Sequence, residues 1–518
     1  GQSDVYKIDP RYGTNEDYLR LSAELHNRGI KNIMDYVTNH WGWQHWMYKD
    51  LPTHDWVHQF PIFTNSNYRM TTQFDVNASA IDAKNCMDGW FVPSMPDLNQ
   101  SNPLVLNYLI QNAIWWIEYA DLDGFRVDTY SYNDKEGIAR WTKAITDEYP
   151  NFNIVGEVWM HSQAQMSYWQ KDSKIGAIQS FNSNLPSIMD FTLHDAFSSV
   201  FNEDKSEWDK GMIKVYENFT NDFLYPNTNN LLTFIENHDT QRFNRLYPDF
   251  RKYQMALTLI ATIRGIPQLY YGSEIGMTGN KDKGDADIRK DFPGGWDGDT
   301  NNAFTKAGRT EEQQKYFAFT SKLLNWRKSK EVIHFGKMKH YIPENNVYVY
   351  FRYNDPSDSE SSKQGESVMV IINNNKLVKQ NTESSANVDL SMGENKIFVF
   401  LNRSFNVGLK NPESSLFFKV DIDDKGSSFE SLLPDSILYV TQPRGSYIGA
   451  NTQKVIFDFM LHNIKLDKGY YVSLNINDIE FKIDFYAPFW IEGLDYGQHK
   501  IAVYLKNSED KIVSSIIN

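Results

Sequence analysis

Apolar positions recur at helical spacing near the start of the chain and then gather into short runs. Tyr18, Leu21 and Leu25 fall on one helix face. Thr14 with Asp17 three residues on is a capping signature ahead of that helix, and Gly29 suits a left-handed turn at its end. Residues 30–37 then read as a short, largely apolar, buried strand. Ser101-Asn102-Pro103 opens a second helix with Pro103 at its first position, and Ile114, Trp115, Trp116 and Ile117 carry it to about Ala120. Strand-like segments follow at 122–128, 153–158, 187–191, 231–236 and 266–271, with helical stretches between most of them. Strands alternating with helices over this length predict a parallel α/β domain, most simply a (β/α)8 barrel.

The pattern changes after about Trp326. Short strands are expected at 348–352, 368–372, 396–401, 417–420, 454–459, 470–476 and 501–505, with a Ser/Asp/Glu-rich loop at 356–367. The division this predicts is a barrel over 1–328 with an excursion at 41–100, a β-sandwich over 329–400, and a further β-sandwich over 401–518.

Composition narrows the partners. Lys and Arg number 52 against 66 Asp and Glu, a net charge of −14, which disfavours a nucleic-acid or anionic-membrane partner. No apolar run is long enough to span a bilayer. The single cysteine, Cys86, excludes an internal disulfide and a Cys-based zinc site. Aromatic residues reach 15%, which fits either an aromatic-rich core or a partner with flat apolar faces, such as a sugar.

Four segments place polar residues at expected strand ends, which share one rim in a barrel. They are Asp35-Tyr36-Val37-Thr38-Asn39-His40, Gly124-Phe125-Arg126-Val127-Asp128, Val155-Gly156-Glu157-Val158-Trp159 and Phe234-Ile235-Glu236-Asn237-His238-Asp239. Any one carboxylate here could be a helix cap or an ion-pair partner. Together they suit glycosidic bond cleavage, which needs an acid for the leaving oxygen and a carboxylate across the anomeric carbon.

In this order the four segments resemble the signature regions of the α-amylase family of glycoside hydrolases. Met95-Pro96-Asp97-Leu98-Asn99 is similar to that family's fifth region, and the stretch from Gly265 to Gly276 to its last barrel strand. The stretches around Trp46 and from Arg289 to Trp296 look like periplasmic neopullulanases of starch-utilisation systems. The resemblance implies Asp128 as nucleophile, Glu157 as general acid/base and Asp239 as the third carboxylate. It implies His40, His238 and Arg126 as groups around the same sugar, and Asp35 as support for Arg126. Trp46, Trp159 and Trp296 are expected to contact substrate. Trp41, Trp43, Trp56 and Trp90 lie with Trp46 in the excursion, divided between a sugar-stacking wall and a local core.

The implied activity is retaining hydrolysis of α-1,4-glucosidic bonds in maltodextrins, cyclodextrins or pullulan, with transglycosylation beside it and a periplasmic or secreted location. A plain α-amylase and a non-catalytic glucan-binding protein remain alternatives. No cofactor is required; Asn39 resembles a calcium ligand, so calcium is a candidate. Thr129-Tyr130-Ser131-Tyr132 stands where many amylases carry a Lys-His pair. By the same resemblance the chain opens after the barrel's second strand, so the first two strands and any preceding domain are expected upstream. Six parallel strands in an open arc are therefore expected, whereas eight, two of them from the tail, would mean a circular permutation.

Overall fold

The computed structural model describes residues 2–203, 207–354, 366–374, 393–400, 410, 415–423, 426–431, 437–443 and 454–514. Six strands form one parallel sheet in sequential order: β1 (Ile33–Val37), β2 (Gly124–Asp128), β3 (Asn153–Gly156), β4 (Ser187–Met189), β5 (Leu231–Phe234) and β6 (Ile266–Gln268). This is the strand–helix alternation of a (β/α)8 barrel, represented by six strands. No strand of the tail joins the sheet among the described residues.

Local chemistry explains the elements. Thr14 and Asp17 form the expected reciprocal cap on helix Asn15–Asn27, and Gly29 follows it at φ +69°. Helix Pro103–Ala120 starts with Pro103 in its first turn, where the missing N–H costs nothing. Four of the six strands, β3 to β6, stop before their sequence pattern does. Residues 157–158, 190–191, 235–236 and 269–271 were expected in strands, but the regular strands end before them and they enter the loops that build the rim, the Glu157 and Asp190 N–H groups still bonding to Val127 and Leu232 of the neighbouring strands.

The sheet is buried in its middle and open at its ends. Each strand of β3–β5 is buried or nearly so, whereas β1 and β6 each pair on one side only among the described residues. The expectation that β1 is a buried strand is therefore corrected. Ile33 is 53% exposed at this edge, and only Tyr36 in the strand is buried. A groove of about 1370 Å³ runs beside β1, with Asp35, Tyr36, Trp46, Leu109 and Trp116 in its lining.

The chain divides into two compact units, Gly1–Gln380 and Asn381–Asn518. The first also holds an antiparallel sheet of β7 (Lys337–His340), β8 (Val347–Tyr353) and β9 (Ser367–Asn373). Most of the predicted 356–367 loop lies outside the described residues. In the second unit β10 (Gly393–Phe400), β11 (Ser415–Asp423) and β12 (Gly426–Ser431) form an antiparallel sheet. Two more sheets follow: β13 (Ile437–Gln442), β14 (Lys454–His462) and β17 (Phe489–Glu492); and β15 (Tyr470–Ile476), β16 (Ile479–Ile483), β18 (Ile501–Asn507) and β19 (Ile512–Ser514). Val455, Phe457, Phe459 and Leu461 alternate along β14 and share one core with Val472, Leu474, Val503 and Leu505, which is sheet-on-sheet packing.

Trp141, from helix Lys135–Glu148, ties β1 to the helical layer. Its ring stacks on Tyr36 at 5.5 Å, and its indole N–H donates to the Leu109 carbonyl at 3.2 Å. Trp141→Ala is expected to cost about 3–5 kcal/mol, read as a lower urea midpoint, with Trp141→Phe costing less.

Candidate active site

β2 presents Arg126 and Asp128 on one face, two residues apart, while Phe125 and Val127 are fully buried on the other. The Arg126 guanidinium is the hub. Its Nη1 donates to Asp35 Oδ1 of β1 at 2.9 Å and to Asp128 Oδ1 at 2.7 Å, and its Nη2 pairs with Glu157 Oε1 at 3.0 Å. Three adjacent strands are thus joined through one planar cation.

Glu157 follows the last residue of β3, and its backbone N–H continues the ladder to the Val127 carbonyl at 2.9 Å. Gly156 allows that approach, because a Cβ there would meet Leu185 Cδ2 at 2.6 Å and Tyr130 Cγ at 3.0 Å. The Thr129 N–H donates to Glu157 Oε2 at 2.9 Å. To aim it, Thr129 takes φ +48°, a strained conformation for a β-branched residue. Glu157 is 7% exposed. Burial pushes its carboxyl up to about 7; the nearby charges of Asp128 and Asp239 add to the rise, and Arg126 and the Thr129 N–H oppose it.

Asp239 stands on the loop after β5. The Asn237 side chain accepts the Asp239 and Thr240 N–H groups at 2.9 and 3.0 Å, which fixes the turn. His238 Nε2 lies 3.0 Å from Asp239 Oδ2, and Arg289 Nη2 donates to Oδ1 at 2.6 Å. Burial raises the Asp239 carboxyl, but His238, Arg289 and Arg126 outweigh it and the net shift is downward. Arg289 Nε also donates to the His238 carbonyl at 2.8 Å. Sequence reading quoted Arg289 inside a motif without giving it a role; only the fold shows that it reaches across to this loop.

His40 is buried and stacks on Phe91 at 5.4 Å. Burial pulls its pKa down to about 4, only partly offset by Asp128, so the imidazole is neutral near pH 7. The structure brings Asp35, Arg126, Asp128 and Glu157 into direct contact, with His40, His238 and Asp239 within electrostatic reach.

The tryptophans divide. Trp41 and Trp56 are buried in a local core, and Trp41 stacks on His45 at 3.9 Å. Trp90 is half-buried and donates to the His58 carbonyl. Trp43, Trp46 and Trp296 are more than half exposed. Trp159 packs face to face on Phe191 at 4.6 Å. Among the described contacts none joins Trp46, Trp159 or Trp296 to the carboxylate cluster.

The calcium expectation finds no fit around Asn39. Its amide N–H2 is directed at Asp97 Oδ1, 3.2 Å away, while its own Oδ1 is buried without a hydrogen-bond partner, so as oriented Asn39 and Asp97 do not turn two oxygens toward one cation. Calcium takes six to eight oxygens. Among the described residues no group of three or more His, Cys, Asp or Glu is arranged to hold a metal.

The family model for the alpha amylase catalytic domain matches residues 1–364. The chain is 28% identical to the cyclomaltodextrinase of Geobacillus thermopakistaniensis over 295 residues, covering 54% of this chain and 44% of that protein. It is 26% identical to neopullulanase 2 of Thermoactinomyces vulgaris over 386 residues, covering 72% and 56%. It thus spans about half the length of the curated relatives it matches. The crystal structure of an Anoxybacillus alpha-amylase superposes with a TM-score of 0.58 at 23% identity, covering 83% of this chain and 80% of that one, a likeness of fold alone. With the family model matched over more than half of its length, across all four rim segments, the chain belongs to the alpha-amylase family of glycoside hydrolases.

Proposed function

We propose that the protein hydrolyses α-1,4-glucosidic bonds with retention, acting on maltodextrins, cyclodextrins and pullulan in starch breakdown, with transglycosylation as a side reaction. The observation that carries this reading is the Arg126 hub, which gathers Asp128 and a buried Glu157 with a raised carboxyl on one face of the sheet. The names of the relatives favour these substrates over granular starch. The location we propose is periplasmic or secreted, on the resemblance to periplasmic neopullulanases; among the described residues no helix is long and apolar enough to cross a membrane.

In the mechanism an Asp128 oxygen attacks the anomeric carbon while Glu157 gives its proton to the departing glycosidic oxygen. The C–O bond breaks and a glycosyl ester forms on Asp128. Glu157, now ionised, takes a proton from water, whose oxygen attacks the same carbon and frees Asp128. An acceptor hydroxyl in place of water gives transfer. Asp239, held anionic by His238 and Arg289, steadies positive charge on the ring, and neutral His40 hydrogen-bonds the sugar with His238 beside it. No step calls for a metal or another cofactor. Trp46 and Trp296 are exposed surfaces on which further sugar units can stack.

Three measurements test the reading. Because the first step needs protonated Glu157, kcat/KM is expected to fall as pH rises through about 7, and a profile flat from pH 5 to 9 would contradict the assignment. Glu157→Gln is expected to lose at least about 10²–10⁴-fold in kcat while keeping oligosaccharide binding by calorimetry; a binding protein has no activity to lose. Digestion of pullulan is expected to yield panose, whereas good starch hydrolysis without pullulan cleavage would mark a plain α-amylase.

A further inference from the structure

The misfit at Asn39 has a positive side: the place is already filled by the protein's own cations. Asp97 is buried at 2% exposure, and both of its carboxylate oxygens are engaged. Oδ1 accepts from Asn39 Nδ2 at 3.2 Å, and Oδ2 lies 2.7 Å from His58 Nδ1. The other ring nitrogen of His58, Nε2, forms an ion pair with Asp88 Oδ1 at 3.5 Å. Lys84 pairs with the second oxygen of Asp88 from one helical turn away. A ring with a carboxylate at each nitrogen is served by the imidazolium, the only form with two N–H donors. His58 and Lys84 are then the two cations that face Asp97 and Asp88; burial pushes the Asp97 carboxyl up to about 7, and His58 and Asn39 oppose that rise.

This cluster sits where the excursion meets the rim. Asn39 and Asp97 lie on two segments that also bond through their backbones, Leu98 N–H to the Asn39 carbonyl at 2.9 Å and Trp41 N–H to the Pro96 carbonyl at 3.2 Å. His40 lies between those contacts and forms a backbone bridge with Asp97. The His58 N–H binds the Asp97 carbonyl at 3.0 Å, and the His58 carbonyl accepts the Trp90 indole at 2.7 Å. Cutting the cluster would loosen both the excursion and the turn that presents His40.

We propose that His58 takes the place of a structural divalent cation, its ring clamping Asp97 and Asp88 and thereby fastening the excursion to the His40 turn without a metal. The clamp concerns the folded architecture and stands whether or not the substrate reading holds; its test is therefore thermal unfolding of the full chain, which needs no turnover. The wild-type Tm is expected to stay within about 1 °C between EDTA and millimolar calcium, because a metal bound only by the folded state would shift it by mass action. His58→Gln, which keeps a polar group but cannot carry charge, is expected to lower Tm by at least about 4 °C in both conditions, since breaking a buried pair strands a charge. Asp97→Asn is expected to lower it as well. An unchanged Tm in His58→Gln would overturn the proposal. So would a drop in wild-type Tm with EDTA that calcium restores and that Asp97→Asn abolishes. Should neither variant fold, the metal response of the wild type still decides.

Discussion

Everything at the rim depends on one guanidinium shared by three carboxylates. Asp35 lies within β1, Asp128 ends β2 and Glu157 follows β3, and parallel pairing brings these three adjacent strands together around Arg126. Unscreened, three anions at this distance in a partly dry site would repel one another by several kcal/mol at an effective dielectric of about 20. Arg126 removes much of that repulsion from the one position that faces all three. A lysine would be a poor substitute, because the fork presents two terminal nitrogens in a fixed plane, one toward Asp35 and Asp128 and the other toward Glu157. One positive charge still does not balance three negative ones. The remainder is relieved by a proton, and the driest of the three carboxylates, Glu157, is the one that takes it.

The architecture supplies this hub at little local expense. Alternation along β2 puts Arg126 and Asp128 on the rim face and spends Phe125 and Val127 on the core. The costs fall on single residues nearby. Thr129 accepts a left-handed backbone to point its N–H at Glu157, and Gly156 gives up a side chain so that its strand can pass Tyr130 and Leu185. Both positions flank chemistry rather than core, as expected where strain is held for a site.

Much of this was legible in the chain itself, and the limits follow from physics. Strand cores and capped helices are local: Thr14 with Asp17, and Pro103 at a helix start, act through neighbours in sequence, and the structure shows both where expected. Strand ends were less so, because Val158 and Ile235 are as apolar as the strands before them, and the turn into the rim loops is fixed by tertiary contacts of Glu157 and Glu236. Burial of β1 was misread for the same cause. An apolar run looks alike at the edge or the centre of a sheet, and only pairing decides. In the tail, β12, β13, β16, β17 and β19 went unpredicted because strands of three to six residues are too short to show a clear alternation. The carboxylates announced themselves through motifs. Arg289 and His58 did not, since each acts on a residue about 40 to 50 positions away and has no motif role until the chain is folded.

Glu157 and Asp239 show how one rim makes an acid and an anion from the same functional group. Burial raises both carboxyls, so burial alone cannot separate their roles. Partner arithmetic does. Asp239 has His238 on one oxygen and Arg289 on the other, neither of them shared with Asp128 or Glu157, and its charge is favoured despite the loss of water. Glu157 must share Arg126 with Asp35 and Asp128, feels the negative charge of Asp128 and Asp239, and sits deeper. Its neutral form wins. The division of labour that glycosidic cleavage needs, one carboxyl holding a proton beside another held as the anion, therefore follows from how positive charge is distributed along the rim. It does not require the carboxylates themselves to differ.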